Sequence, residues 1–281
     1  MATARRLTMK GPLLTRKVHD AMRAATRAGV PMVECSLDLE RSTTTVEVGA
    51  TEWAWQGQRF PYLETCKDRT IYYWTGEFFQ PASRFGTSLI KLVPTEWGPP
   101  TFEIDGIKML PTAQVSPWAD AERKVALVRP YGKLILDTCG GLGYFAAWCL
   151  LGQAAHVLSY EKNPDVIWLR SLNPWSPEPS DRLTLTQGDV AEQIATLPDQ
   201  SVDAVLHDPP RFGTAGYLYS QAFYDHLARV LKRRGFLFHY TGTPNKLTSG
   251  RDVPNEVSKR LRHGGFSVEL NGDGILAVKN R

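Results

Sequence analysis

Residues 134–143 read Leu-Ile-Leu-Asp-Thr-Cys-Gly-Gly-Leu-Gly, and this stretch decides the fold class of the chain. Its first four residues are mostly apolar and predict a buried strand. The glycines allow the backbone to turn tightly and to approach a ligand closely at the N-terminus of a following helix. A Gly-rich turn alone is weak evidence of a ligand site, but it provides the first candidates, namely Asp137, Thr138, Cys139, Gly140, Gly141 and Gly143.

Strands alternate with helices after residue 133, which is typical of a parallel α/β sheet. The pattern predicts seven strands, at Leu134–Asp137, His156–Glu161, Leu183–Gln187, Ala204–His207, Phe236–Tyr240, Phe266–Leu270 and Ile275–Lys279. The last two are joined by a short Asn-Gly-Asp-Gly turn, which only an antiparallel hairpin can use. A helix that ends in a basic turn at Gly235 is expected before the fifth strand. The predicted fold is a seven-stranded, Rossmann-like α/β domain.

Polar residues follow the second and third strands, at the edge where ligands bind in open α/β sheets. Glu161 and Lys162 stand at the end of the second strand, where an acid can accept both hydroxyls of a ribose. Asp189 and Val190 follow the third strand. There the carboxylate can take an adenine amino proton, or it can merely cap the next helix. These four residues extend the candidate ligand site.

The fourth strand is followed by Asp208-Pro209-Pro210-Arg211-Phe212. This segment is either a plain turn or a substrate site in which the Asp208 carboxylate and the Pro209 carbonyl accept the hydrogens of an amine. Four such motifs, in order at four strand ends, favour one ligand site over four coincidences. The pyrophosphate of NAD would be repelled by Asp137 in the Gly-rich turn, whereas a ligand with an ammonium group would be attracted.

Residues 118–280 resemble the class I S-adenosylmethionine-dependent methyltransferases. The resemblance is closest to the archaeal-type predicted methyltransferases, whose members include an N4-cytidine ribosomal RNA methyltransferase. It is carried by the motifs LDTCGGLGY, EKNP, NPWS, HDPPRFG, LYSQAFY and FHYTGTPNK. It implies S-adenosylmethionine as the cofactor, held by the candidates above and by Asp208. The catalytic residues that it implies are Asp208, Pro209, Pro210 and Phe212.

The resemblance implies methyl transfer to an exocyclic amine of a nucleobase in RNA, most specifically N4 of cytidine in ribosomal RNA. The chain departs from the family's acid-Pro-Pro-aromatic motif, because Arg211 stands at the aromatic position and Phe212 comes next. Either side chain can stack on a base. Further substrate contacts are expected from Tyr219, His239 and Lys246, although His239 also fits a buried core histidine and Lys246 a solvated loop.

An alternative is a small-molecule N-methyltransferase or an aminopropyltransferase, which also has a β-unit before its Rossmann-like core. No metal is expected, because the four cysteines lack C-x-x-C spacing. The longest apolar run, Tyr144–Leu151, is too short to cross a membrane, so we expect a cytoplasmic protein.

The charge of the chain is unevenly placed. Residues 1–30 carry a net charge of +6, which leaves −2 on the rest of a chain whose total is +4. We interpret residues 1–30 as a basic helical arm that holds RNA, with a solvated surface helix or an organelle transit peptide as alternatives. Residues 31–117 predict a small β-rich domain, because apolar and polar residues alternate and β-branched and aromatic residues recur. Residues 118–281 are the predicted catalytic domain.

Overall fold

The computed structural model describes residues 11–242 and 250–280, which divide into two compact units. The N-terminal unit comprises Met1–Pro117 and Trp168–Trp175, and the C-terminal unit comprises Trp118–Ile167 and Ser176–Arg281. Within the described ranges, no helix has both the length and the apolar character that crossing a membrane requires.

Short antiparallel strands build most of the N-terminal unit. Its helix, α1 (Arg16–Arg27), begins after Thr15, whose side chain accepts a hydrogen bond from the amide of Val18. The described strands are β1 (Leu13–Leu14), β2 (Met32–Cys35), β3 (Thr44–Val48), β4 (Glu52–Trp55), β5 (Gln58–Pro61), β6 (Tyr72–Trp74), β7 (Phe79–Pro81), β8 (Ser83–Phe85), β9 (Leu89–Val93), β10 (Thr101–Ile104) and β11 (Ile107–Lys108). They form three sheets, with strand orders β1-β6-β7, β2-β3-β4-β5 and β11-β10-β9-β8.

The core of the N-terminal unit is rich in aromatic residues. Trp53 stacks on Phe60 with ring centroids 4.5 Å apart, and Phe79 lies 6.1 Å from Trp53. Val18 and Met22 of α1 join this cluster and are almost fully buried. Burying such side chains contributes about 1.5–3 kcal/mol each. The helix of the predicted basic arm is therefore part of the core of this unit.

Two of the cations of α1 contact acids of the same unit. Arg16 pairs with Asp68 at 2.6 Å, and Lys17 pairs with Glu40 at 2.9 Å. Such exposed pairs contribute at most about 1 kcal/mol each. They nevertheless bring acids next to two cations of the predicted RNA-binding arm. Three further cations of the predicted arm lie outside the described residues, namely Arg5, Arg6 and Lys10.

One large sheet forms the C-terminal unit. Its strands are β12 (Leu134–Asp137), β13 (His156–Glu161), β14 (Leu183–Gln187), β15 (Val202–His207), β16 (Leu231–Tyr240), β17 (Phe266–Asn271) and β18 (Gly274–Lys279). Their order is β14-β13-β12-β15-β16-β18-β17, and β18 runs antiparallel to the other six strands. From residue 117 onward the described α-helices of the chain are α2 (Pro117–Val128), α3 (Tyr144–Leu151), α4 (Pro164–Leu172), α5 (Val190–Gln193), α6 (Phe212–Ala215), α7 (Gln221–Val230) and α8 (Val253–His263).

The seven predicted strands and the final hairpin are confirmed. One boundary is wrong: α7 ends at Val230, and the basic residues 232–234 belong to β16 instead of a last helical turn. The pairing of β15 with β16 shifts between Val202 and Ala204, which accommodates these extra residues as an irregularity of the strand. The basic residues are exposed there.

We expect Met22→Ala to destabilise the N-terminal unit by about 2–5 kcal/mol, because it removes a fully buried side chain from the aromatic core. Arg27→Ala on the exposed side of the same helix is the matched control and should change stability by less than about 0.5 kcal/mol. Urea unfolding measures both variants. Equal stabilities of the two variants would mean that α1 is a detachable arm after all.

Candidate active site

The Gly-rich turn joins the end of β12 to the start of α3. The amide of Gly140 donates to the carbonyl of Tyr160 at 2.7 Å, and the amide of Gly143 donates to the carbonyl of Gly140 at 2.7 Å. Gly143 has a φ of +81°, a conformation that is strained for residues with a side chain. The turn therefore lies against the end of β13 and directs the N-terminus of α3 to the carboxyl edge of the sheet.

Glu161 is held in place by two backbone amides. The amide of Gly141 donates to Oε2 at 2.9 Å, and the amide of Asn163 donates to Oε1 at 2.8 Å. An ionised carboxylate has about four acceptor positions, more than the two that these amides occupy. A pair of ribose hydroxyls fits this arrangement, because they require two acceptors at a fixed spacing.

Asp189 caps α5, which is the structural alternative that the sequence left open. Its Oδ1 accepts from the amide of Ala191 at 2.9 Å, while Oδ2 accepts from Lys162 at 2.8 Å and from the Tyr217 hydroxyl at 2.9 Å. Burial alone would raise the pKa of Asp189, but these hydrogen bonds outweigh it and hold the pKa below its usual value. Val190, next in the chain, is buried in the core. An adenine amine would have to share Asp189 with Lys162 and Tyr217.

Asp137 is 1% exposed and accepts a hydrogen bond from Ser159 at 2.8 Å. This bond joins β12 to β13, and the carboxylate has almost no surface left for a ligand. The predicted direct contact between Asp137 and an ammonium group is therefore not what the structure shows. Burial also raises the pKa of the neighbouring Cys139 thiol well above its usual value, so this cysteine is a protonated thiol and no nucleophile.

Tyr219 contacts the Asp208-Pro209-Pro210 segment and the helix that follows it. The Tyr219 hydroxyl donates to the carbonyl of Pro210 at 3.1 Å, and its ring lies 5.4 Å from that of Phe212. Tyr219 is 4% exposed, so it supports the loop, contrary to the predicted substrate contact.

The two candidates for base stacking differ in their surroundings. The guanidinium of Arg251 lies 4.3 Å from the centroid of the Phe212 ring, so one face of that ring is covered. Arg211 is exposed beside it. Lys246, the remaining predicted substrate contact, lies outside the described residues.

Two buried histidines lie opposite each other on β15 and β16, next to the Asp208-Pro209-Pro210 segment. Nδ1 of His207 lies 2.7 Å from the hydroxyl of Thr138, and its Nε2 donates to the carbonyl of Leu218 at 3.2 Å. Nδ1 of His239 donates to the carbonyl of Tyr240 at 2.7 Å, and Nε2 accepts from Tyr224 at 2.9 Å. Both side chains are 0% exposed, and burial lowers the pKa of His207 to about 3 and that of His239 well below its usual value. His239 is a satisfied core histidine, and its predicted contact with substrate is wrong.

A buried lysine that is not among the predicted site residues lies beside Asp208. Lys124 of α2 is 2% exposed, with its ammonium 2.6 Å from Asp120 and 3.7 Å from both Asp208 and Asp273. The signal was present in the sequence: Lys124 falls on the stripe of α2 that also carries Ala121, Val125 and Val128, all of them buried. A lysine on an apolar stripe needs buried acids, and three are supplied here.

The sequence of the chain is similar to that of a curated protein. No protein-family model matches it. The chain is 43% identical over 211 residues to "Uncharacterized protein MJ1233" of Methanocaldococcus jannaschii, covering 73% of this chain and 72% of that protein. An alignment of this length exceeds residues 118–281, so the likeness extends into the N-terminal unit.

Two solved spermidine synthases have similar structures. One, in complex with the transition-state analogue AdoDATO, has a TM-score of 0.56 and 17% identity, and the match covers 70% of this chain and 71% of that chain. The enzyme from Thermotoga maritima has a TM-score of 0.54 and 18% identity, with 70% and 71% covered. Identity this low shows a shared fold alone. The C-terminal unit has the Rossmann-like fold of the class I methyltransferases and the spermidine synthases.

The buried histidines predict a pH-dependent stability. The pKa of His207 is about 3 in the folded protein and about 6.5 in the unfolded chain, so the unfolded chain binds the proton more tightly. The free energy of unfolding therefore falls as the pH decreases below about 6.5. The decline is about 1.4 kcal/mol per pH unit for one histidine. His207→Asn should make the loss of stability between about pH 6 and pH 4 shallower, as measured by urea unfolding. The exposed His263→Asn control should show the same dependence of unfolding free energy on pH as the wild type. If His207→Asn also showed the wild-type dependence, the lowered pKa of His207 would be contradicted.

Proposed function

The chain belongs to the family of the Methanocaldococcus jannaschii protein MJ1233, and from the geometry of its site we propose that it is an S-adenosylmethionine-dependent methyltransferase acting on an exocyclic amine of a nucleobase in RNA. The proposed target is N4 of cytidine in ribosomal RNA. One observation carries the proposal: a carboxylate fixed by two backbone amides, Glu161, lies at the same sheet edge as the Gly-rich turn and the Asp208-Pro209-Pro210 segment.

The cofactor end of the site fits a nucleoside. Glu161 offers two acceptors for the ribose hydroxyls, and its orientation does not depend on the ligand, because the amides of Gly141 and Asn163 already hold it. Pre-organisation of this kind lowers the entropic cost of binding. The Gly-rich turn allows close approach of the ligand at the N-terminus of α3.

At the acceptor end, Asp208 holds the amine. S-adenosylmethionine bound there would supply an electrophilic methyl group: the N–C bond would form as the C–S bond breaks, leaving S-adenosylhomocysteine and a nitrogen that loses one proton. Asp208 accepts the amine hydrogens and thereby directs the nitrogen lone pair at the methyl carbon. Burial raises the pKa of Asp208, which makes its carboxylate a better acceptor for the departing proton.

The charges around Asp208 favour an amine that is neutral before reaction. Lys124 and Arg123 lie among three acids, since Arg123 contacts both Asp120 and Asp273. One net negative charge therefore remains for five ionised groups. A diamine would bring a second cation into a site whose acids already have partners, whereas the exocyclic amine of a nucleobase is uncharged.

A second candidate is transfer of an aminopropyl group to a polyamine, or N-methylation of a small molecule. The fold similarity to spermidine synthases over 70% of the chain favours it. Against it stand the partnered acids of the acceptor site. For RNA, the exposed Arg211 guanidinium offers a stacking surface for the base.

Glu161→Ala should weaken binding of S-adenosylmethionine by about 1.5–3 kcal/mol, because a charged acceptor of two hydrogen bonds is lost. Isothermal titration calorimetry measures this loss. The exposed Glu178→Ala is the control and should bind like the wild type. Wild-type protein that binds NADH tightly and ignores S-adenosylhomocysteine would exclude the proposed cofactor.

Asp208→Asn should lower methyl transfer to RNA by about two orders of magnitude, because the amide cannot accept the amine hydrogens through both of its polar atoms. Affinity for S-adenosylmethionine should change far less. The assay is nucleoside mass spectrometry of RNA from cells without the gene, after treatment with wild type, Asp208→Asn or the exposed control Asp181→Asn. Unmethylated RNA together with aminopropyl transfer to putrescine would favour the second candidate.

A further inference from the structure

Lys124 has a role beyond balancing charge. Its ammonium is in effect fully buried, which requires compensation by nearby negative groups. Burial alone would lower the pKa of Lys124, but Asp208, Asp120 and Asp273 outweigh it and raise the pKa, so the side chain stays charged. The ammonium also lies 4.5 Å from the centroid of the Tyr240 ring. Lys124 is therefore a fixed positive charge beneath the acceptor site.

The partner that gains most from this charge is Asp208. Burial raises the pKa of Asp208, Lys124 opposes this rise, and the neighbouring acids Asp120 and Asp273 add to it. Without the ammonium, three carboxylates would share one poorly hydrated region. Asp208, whose pKa burial already raises, would then take up a proton at a higher pH.

We propose that Lys124 is a positioning residue of the acceptor site, where its buried ammonium keeps the Asp208 carboxylate ionised and fixed in place to receive the amine. This inference rests on the proposed function, because it assigns to Lys124 the state of the residue that holds the acceptor. Lys124 itself touches neither the amine nor the cofactor; it acts through Asp208.

The other titratable groups around Asp208 come from several elements of the C-terminal unit. Helix α2 contributes Asp120, Arg123 and Lys124, and the turn between β17 and β18 contributes Asp273. The charge of Asp208 also acts on Tyr240 at the end of β16, on Tyr219, and on Cys139 of the Gly-rich turn. Burial raises the pKa of each of these last three groups, so all remain neutral at pH 7, and Lys124 is the cation that faces Asp208 directly among the described residues.

The test compares pH profiles of single-turnover methyl transfer. In the wild type, the rate should fall at low pH as Asp208 takes up a proton. Lys124→Met should move this acid limb to higher pH by about 1–3 units and lower the rate at pH 7 by about 10-fold or more, because an opposite charge is lost. Lys124→Arg should keep the wild-type limb. Lys133→Met, at the opposite end of β12, is the matched control and should leave the limb unchanged.

A second variant tests the same inference in the opposite direction and keeps the cation that lies next to all three acids. Asp120→Asn removes a negative neighbour and should move the acid limb to lower pH. Identical acid limbs in the wild type, Lys124→Met and Asp120→Asn would overturn the inference, even if the Lys124 variant were slower, since that pattern is expected of a purely structural residue.

Titration of the Asp208 carboxyl carbon by ¹³C NMR, assigned with Asp208→Asn, gives a readout that does not depend on the substrate. If the wild type transfers no methyl group to RNA but this titration still shifts in Lys124→Met, the proposed acceptor is wrong while the ionisation of Asp208 by Lys124 stands. If transfer occurs and the titration does not shift, the proposed function stands and the role of Lys124 is wrong.

Discussion

The parallel pairing of β12 with β13 on one side and with β15 on the other is the constraint on which the candidate site depends. In this register Asp137 lies opposite both Ser159 and Leu206. Glu161 and Asp208 each stand two residues farther along their strands, so they extend past the end of β12 on either side of the Gly-rich turn. Because the strand order reverses at β12, a crevice opens there, as in other open α/β sheets.

The carboxyl edge of the sheet is made rigid by polar groups buried behind it. Thr138 and His207 join the Gly-rich turn to β15, and Tyr224 and His239 join α7 to β16. Each ring nitrogen of the two histidines has a partner, which such buried groups require. A satisfied network of this kind specifies one arrangement of its members, so the Asp208-Pro209-Pro210 segment rests on a defined surface.

How much of this was predictable depends on how local the signal is. The strands of the large sheet were found because they are short, apolar and bounded by glycines or charges, and the hairpin because its turn permits nothing else. The start of β16 was missed because three basic residues after α7 suit a helix end as well as an irregular exposed strand. His239 could not be assigned, because its partner Tyr224 lies 15 residues away in the sequence. The residues next to a histidine do not show whether it is buried in the core or contacts a substrate. The role of Lys124 needs three acids from different parts of the chain, a coincidence that only the fold brings about.

The charge left at the acceptor site bears on how the proposed reaction is accelerated. A nucleobase amine enters neutral and acquires positive charge on nitrogen as the new N–C bond forms. Three carboxylates against two cations leave one negative charge near that nitrogen, and Asp208 is the carboxylate at the strand end. Its interaction with the amine is therefore stronger in the transition state than before reaction, which is the condition for raising the rate of the chemical step. An amine that arrived already protonated would gain the same interaction on binding and would have no lone pair to offer, so one fixed negative charge, and not three, suits methylation of a neutral base.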